Sequence, residues 1–404
     1  MTEPLIQLEN VRKAFGDNKV LDGVDLSIYE GEITAIIGKS GGGKSVLLKH
    51  IIGLLKHDSG HIHFEGKALS AMKKAEQRAL KRRFSYMFQG SALFDSMTVF
   101  ENVALPLVEK TSMGKREIRE KVRGLLDQLD LSDINLKYPS QLSGGMKKRV
   151  ALARALITDP KIVLFDEPTT GLDPIRKNAV HSMISDYQKQ YGFTGVIVSH
   201  ELPDIFYISQ RIAMLYEGRI IFEGSPEAIN ESTDPAVQQF VHGMESRHDE
   251  LTGLAPRFQG ERRYREEIAR LRRHQDSFSV ILLSVESHNP ANVDLKYWAD
   301  QSALKSFSTQ MRKHLRVTDI CSRYGLNKIM IILPNTTFDQ AQEVCDKLAG
   351  EMSCGREDLD NPPDVGTCFT VTAGIAEAQT DSSLEQVITR AESSRHEFYE
   401  FRIQ

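Results

Sequence analysis

Gly38-Lys39-Ser40-Gly41-Gly42-Gly43-Lys44-Ser45 is the stretch on which the reading of this chain turns. It has a glycine, four residues, then Gly-Lys-Ser. It follows the apolar run ITAIIG (33–38) and opens the helical pattern KSVLLKHIIG. That context predicts a strand, a phosphate-wrapping loop and a helix. Glycines let the backbone turn its N–H groups inward around an anion, and the helix N-terminus adds partial positive charge. All eight residues are candidate nucleotide contacts, with ATP the expected ligand. Lys44 is placed to reach the β- and γ-phosphates, and Ser45 to offer its hydroxyl oxygen to Mg²⁺.

Outward from the loop, Ile162-Val163-Leu164-Phe165-Asp166-Glu167 reads as an apolar strand ending in two carboxylates. Hydrolysis of a phosphoanhydride needs a held cation, a water in line and a base. Asp166 is expected to hold Mg²⁺ through water, and Glu167 to polarise the attacking water. With TGVIVSH (194–200), these apolar runs alternate with helical stretches, which argues for an α/β fold with buried strands.

The chain has 404 residues, which at roughly 150 per domain means two to three domains. With 51 basic and 55 acidic residues the net charge is -4, which excludes a globally basic nucleic-acid binder but not a local basic patch. Hydrophobic residues make up 40%, as in a soluble globular protein. No apolar run approaches the roughly 18 residues of a membrane span. The beginning, MTEPLIQLEN, lacks a secretory pattern. A cytoplasmic chain is expected, with any membrane work done through a partner. Cys321, Cys345, Cys354 and Cys368 form no Cys-x-x-Cys pair and read as small hydrophobes in a reducing compartment.

Two blocks are visible, 1–245 and 246–404. Around their junction, MESRHDELTGLAPR reads as a linker or a boundary. GERRYREEIARLRRHQ then reads as a solvated, salt-bridged helix. SVILLSV (279–285), KIMIILP (328–334) and CFTVTAGIA (368–376) read as strands, with helical patterns between and after them. The second block is a separate α/β domain.

Leu142-Ser143-Gly144-Gly145-Met146, ahead of the helical KKRVALARALITDP, lies between the two phosphate-chemistry motifs. With them it resembles the nucleotide-binding subunits of ABC transporters, whose motif usually reads LSGGQ; Met146 departs from that glutamine. The resemblance implies a P-loop core with an antiparallel β lobe and a helical subdomain. It implies a homodimer in which Ser143, Gly144 and Gly145 cap the γ-phosphate bound to the opposite subunit. Phe15 matches the aromatic that stacks on adenine. Gln89, in YMFQGSALF, matches the glutamine that touches Mg²⁺ and the water and senses the membrane partner. Thr170-Gly171-Leu172-Asp173 matches the loop through which the subunits communicate, with Asp173 at the nucleotide site. His200 matches the histidine that contacts the γ-phosphate. FQGSALFDSMTVFENVALPL, LSGGMKKRVALARAL and DPAVQQFVHG are similar to the ATPase of the Mce-type (Mla) lipid transporters. That implies an inner-membrane permease, a periplasmic Mce lipid-binding protein, phospholipid cargo and a peripheral seat on the inner membrane. Another hydrophobic solute, or a soluble ABC ATPase without a transporter, are the competing readings.

The second block resembles a degenerate GGDEF (diguanylate cyclase-like) domain. Asp249-Glu250-Leu251-Thr252-Gly253-Leu254 matches its opening DxLTGL motif, and Arg323-Tyr324-Gly325 matches the approach to its hairpin. The hairpin itself reads Gly325-Leu326-Asn327-Lys328-Ile329, so the acidic positions have become Asn327 and Lys328, and the first-strand metal aspartate aligns with Ser284. Two-metal chemistry needs clustered carboxylates, so no cyclase activity is expected, and the tail reads as a regulatory or dimerising module. Arg316-Val317-Thr318-Asp319 has the spacing of the family's product-inhibition site. It fits either a surface ion pair in a turn or a cyclic di-GMP contact at Arg316 and Asp319.

Overall fold

The computed structural model describes all residues except 1–2, 89, 130, 201–203, 246–247, 288–292, 353–366 and 404. The chain forms two compact units, Met1–Val241 and His242–Gln404. The elements of the first are β1 (Ile6–Phe15), β2 (Asn18–Ile28), β3 (Ile33–Ile37), α1 (Lys44–Ile51), β4 (Ser59–Phe64), β5 (Lys67–Ala68), α2 (Lys74–Arg82), β6 (Phe84–Met87), α3 (Val99–Lys110), α4 (Lys115–Gln128), α5 (Gly144–Leu156), β7 (Ile162–Asp166), α6 (Pro174–Tyr191), β8 (Thr194–Ser199), β9 (Arg211–Tyr216) and β10 (Arg219–Gly224). Helix α7 (Pro235–Glu245) spans the division and ends at the residue where the sequence pattern changes.

The first unit holds two sheets. One is antiparallel, in the order β2-β1-β4-β5. The other runs β10-β9-β3-β8-β7-β6, parallel throughout except for β10 at its edge. Every residue of β3, β7 and β8 is buried, which is why these runs are continuously apolar. One hydrophobic cluster joins Ile6, Leu8 and Val24 of the antiparallel sheet, Leu47, Leu48 and Ile51 of α1, and Ile36, Leu164 and Val198 of the parallel sheet. Helix α1 is therefore fixed from both sides. A capping box starts α3, where Thr98 and Glu101 bond each other's backbone N–H groups at 3.2 and 2.8 Å.

The second unit comprises α8 (Arg257–His274), β11 (Phe278–Ser287), α9 (Val293–Met311), β12 (Ile320–Arg323), β13 (Lys328–Pro334), α10 (Phe338–Met352), β14 (Thr367–Glu377), α11 (Leu384–Ser393) and β15 (His396–Ile403). Its sheet is antiparallel, in the order β12-β13-β11-β14-β15. Val280, Leu282, Met330 and Ile332 pack on Tyr264, Ile268 and Leu271 of α8 and on Val387 and Ala391 of α11.

Two expectations for this unit change. Helix α8 is amphipathic rather than solvated: Tyr264, Ile268 and Leu271 form a buried stripe. The charges that hide this stripe pair on the outer side, as Arg263–Glu266 at 2.7 Å does. The helical pattern expected after CFTVTAGIA is α11, and residues 396–403 then pair with β14 as strand β15. The supposed linker is packed. Asp249 is buried and accepts from the Thr252 N–H and hydroxyl at 2.7 Å each, and from Arg323 Nη1 at 2.9 Å. Arg323 is wholly buried and also donates to Gln301 Oε1 at 3.2 Å, Leu326 O at 3.0 Å and Gly325 O at 3.2 Å.

A buried charge stripped of its partner is strongly destabilising. Asp249→Ala is expected to lower the stability of the second unit by about 3–5 kcal/mol, read from urea unfolding of the full chain. An unfolding curve superimposable on wild type would show that the pair carries no stability.

Candidate functional site

Parallel pairing brings several loops to one edge. Ile37 of β3 lies beside Ser199 of β8, Asp166 of β7 beside Val198, and Met87 of β6 beside Phe165. The carboxyl ends of these strands therefore meet, which is where open α/β sheets bind ligands. The 38–45 loop follows β3, the two carboxylates end β7, and His200 follows β8.

The loop is a tight cradle. Lys44 is buried, and its ammonium donates to Gly38 O and Lys39 O at 2.9 Å each. Burial pulls its pKa below the usual lysine range, against the opposing pull of Glu167 and Asp166. Gly43 precedes α1 at φ 94°, and a Cβ there would lie 2.8 Å from Val20 Cγ1. A Cβ on Gly38 would lie 2.3 Å from Leu215 O, so that approach is open only to glycine. Lys39, Ser40 and Gly41 are exposed and Gly42 half-buried, with Gly42 N–H closing a turn onto Lys39 O at 3.1 Å. Lys39 Nζ sits 5.4 Å over the Tyr216 ring.

The structure brings Ser45, Asp166, Glu167 and His200 against this cradle. Ser45 Oγ donates to Asp166 Oδ1 at 2.7 Å. Glu167 occupies left-handed backbone at φ 49°, strain of the kind that collects at functional sites. Its carboxylate accepts from Thr170 Oγ1 at 3.0 Å and, with Nδ1 protonated, from His200 at 3.0 Å. Phe15 is half exposed, with Lys13 Nζ 5.3 Å over its ring. Asp58 holds that segment, accepting from Lys13 Nζ at 2.6 Å and Ala14 N–H at 2.8 Å.

Ser143, Gly144, Gly145 and Asp173 sit at helix starts instead. Ser143 Oγ accepts from Met146 N–H at 3.3 Å to cap α5, whose first residues are Gly144 and Gly145. Asp173 Oδ1 accepts from Arg176 N–H at 3.1 Å to cap α6. Gln89 lies outside the described residues.

Two contributors escaped the sequence reading. Tyr86 OH donates to Asp166 Oδ2 at 2.8 Å. Arg154 of α5 donates to Ser91 O and Ala92 O at 2.7 Å each, clamping two residues of left-handed backbone. Both lie in stretches read for other residues, Tyr86 in YMFQGSALF and Arg154 in LSGGMKKRVALARAL, and strand register alone would point to Tyr86.

In the second unit, the polar end of one sheet face is crossed by ion pairs. Ser284 is buried, with Lys328 beside it on β13 and Thr372 on β14. Lys328 pairs with Glu392, and Arg395 pairs with Glu286 at 2.7 Å and donates to Thr372 Oγ1 at 3.0 Å. Asn327 Nδ2 donates to Val285 O at 3.2 Å. Among the described residues no group of three His, Cys, Asp or Glu side chains could hold a metal ion. Asp319 Oδ2 accepts from Arg316 N–H at 2.8 Å, forming a turn with the Arg316 side chain exposed. Burial pushes the Cys321 and Cys345 thiols up to about 12, so both stay protonated.

The ABC transporter family matches residues 21–170, and the diguanylate cyclase GGDEF domain matches residues 246–398. The intermembrane phospholipid transport system ATP-binding protein MlaF of Escherichia coli is 37% identical over 240 residues, 59% of this chain and 89% of that protein. The chain belongs to the MlaF-like family of ABC transporter ATP-binding proteins. TRIGALACTOSYLDIACYLGLYCEROL 3, a chloroplastic protein of Arabidopsis thaliana, is 39% identical over 258 residues, 60% of this chain and 74% of that protein. The solved dimeric structure of MJ0796, a bacterial ABC transporter cassette, superposes with a TM-score of 0.50 at 32% identity, covering 55% of this chain and 98% of that one. This MlaF-like chain is an ABC-type ATPase with a C-terminal GGDEF domain. No helix among the described residues is long and apolar enough to cross a membrane.

Gly43→Ala should cost the first unit about 1–2 kcal/mol through the left-handed backbone alone. It should also weaken nucleotide binding by displacing the loop from Val20. Urea unfolding and titration with a fluorescent ATP analogue check both; wild-type values in each would refute the cradle geometry.

Proposed function

We propose that this chain powers phospholipid transport at the inner membrane. It works as a homodimer seated peripherally, on the cytoplasmic side, against an integral-membrane permease that acts with a periplasmic Mce protein. The observation that carries the reading is the Asp166–Glu167 pair, held against the P-loop by Ser45, Thr170 and His200. The likeness to MlaF, named for intermembrane phospholipid transport, favours the cargo.

The residues fit Mg²⁺ with ATP: Ser45 and Asp166 offer hard oxygens 2.7 Å apart beside a backbone cradle. When bound, the cation supplies charge neutralisation at the β- and γ-phosphates. Ser45, Asp166 and Gln89 would hold it. The backbone from Gly38 to Gly43 and Lys44 bind the phosphates, and Phe15 stacks on adenine. Glu167 takes the proton of the attacking water, its carboxylate oriented by Thr170 and His200. Ser143, Gly144, Gly145 and Asp173 complete the nucleotide site of the second copy.

The 246–404 domain acts without cyclase chemistry. The Lys328 ammonium repels divalent cations, and the nearby Glu286 and Glu392 are committed to Arg395 and Lys328. It serves as a regulatory or dimerising tail. The exposed Arg316 beside Asp319 offers cyclic di-GMP a phosphate and guanine contact.

Glu167→Gln should bind ATP, trap a dimer and hydrolyse about 100-fold or more slowly, as loss of a general base predicts. Lys44→Ala should lose tight ATP binding. Wild-type turnover in either variant would overturn the site assignment. Purified chain given GTP should form no cyclic di-GMP beyond a protein-free blank; product above that blank would overturn the silent-domain reading. A mild-detergent pull-down should recover a polytopic permease, an Mce protein and phospholipid. A permease without the latter two would remove the cargo, and only soluble partners would remove the transporter.

A further inference from the structure

The Walker-type carboxylate Asp166 is buried, and a buried carboxylate needs every hydrogen bond its surroundings can offer. Ser45 supplies one, to Oδ1 at 2.7 Å. The other comes from the residue that opens the YMFQGSALF stretch, a side chain to which the sequence reading gave no role. Strand β6 pairs in parallel with β7, with Tyr86 beside Leu164. Asp166 lies two residues past Leu164, so its side chain leaves the same face of the sheet. A tyrosine is long enough to cross that diagonal between neighbouring strands. Its hydroxyl meets Oδ2 at 2.8 Å.

The ring that carries this hydroxyl is itself fixed. It packs against the core cluster that contains α1 and the β7 residues Ile162 and Leu164. Phe88 covers it with ring centroids 4.4 Å apart. A phenylalanine would serve the packing equally well. Among the described residues, the hydroxyl donates to the Asp166 carboxylate.

We propose that Tyr86 is a positioning residue for nucleotide-linked cation binding: its hydroxyl holds the second oxygen of Asp166, so that the carboxylate meets the cation in one fixed orientation. With both oxygens anchored, by Ser45 from α1 and Tyr86 from β6, rotation of the carboxylate about its Cβ–Cγ bond is blocked. Its remaining lone pairs are presented as a set. The proposal rests on the reading of Asp166 as the cation-holding carboxylate, and the two can fail separately.

The test is a Mn²⁺ titration of the full chain with a non-hydrolysable ATP analogue, followed by electron paramagnetic resonance of the free ion. Wild type, Tyr86→Phe, Asp166→Asn and the double variant form a cycle. Tyr86→Phe should weaken Mn²⁺ binding about 3- to 10-fold, the loss expected when an oriented carboxylate loses an outer partner. Nucleotide affinity measured without divalent cation should be unchanged. On the Asp166→Asn background the second substitution should add less than about twofold, because coupled residues are not additive. In steady state, the Mg²⁺ concentration for half-maximal hydrolysis should rise by the same factor, with a smaller fall in the saturating rate. Wild-type Mn²⁺ affinity in Tyr86→Phe, beside a clear loss in Asp166→Asn, would overturn the role of Tyr86. So would an undiminished Tyr86→Phe effect on the Asp166→Asn background, since Tyr86 would then not act through Asp166. Wild-type Mn²⁺ affinity in Asp166→Asn would instead overturn the assignment of Asp166 and remove the basis for Tyr86 with it.

Discussion

The nucleotide site depends on the parallel hydrogen-bonded register of β3, β8, β7 and β6. Because the four strands run the same way and lie side by side, whatever follows each of them arrives at the same edge. The bonded pairs Ser45–Asp166, Tyr86–Asp166 and Glu167–His200 join residues 121, 80 and 33 positions apart in the chain. No turn or helix could gather them; the sheet does. Helix α1 completes the arrangement, because one apolar cluster grips it from the antiparallel sheet on one side and the parallel sheet on the other. Its first residue, Lys44, is then held with the ammonium against Gly38 O and Lys39 O.

Inside that frame both carboxylates are held by named hydrogen bonds. Asp166 takes one hydroxyl on each oxygen, and Glu167 takes Thr170 on one and His200 on the other. Anchored carboxylates cost no reorganisation when charge builds nearby. The strained backbone at Glu167 and at Ser91–Ala92 flanks the same edge, and Arg154 fastens the latter pair to α5. The helix whose start carries Ser143, Gly144 and Gly145 is thus tied directly to the segment that follows β6.

In the second unit, Lys328 and Arg395 bring two positive charges to one sheet, and Glu392 and Glu286 answer them. These pairs lie at the polar end of a face whose other end, around Val280, Leu282 and Met330, is a closed apolar core. Stability at the opposite margin comes from Arg323, which ties Asp249, Gln301 and two backbone carbonyls of the hairpin into one buried network.

Much of this was readable from residue order. The phosphate loop, the carboxylate pair and the LSGGM stretch declare themselves because their chemistry needs particular residues at short, set spacings. Strands β3, β7 and β8 were legible as apolar runs, since burial on both faces leaves no polar alternation, and β11, β13 and β14 were legible in the second unit. The amphipathic stripe of α8 was hidden by its many arginines and glutamates, and the packed Asp249 segment passed for a linker because local composition says nothing about a partner 74 residues away. Tyr86 illustrates the limit. It lies 80 residues before Asp166, with nothing in either neighbourhood to connect them. Short-range spacing is set by covalent geometry and can be read along the chain. Which distant side chains touch depends on strand order and register, which arise only when the whole core packs.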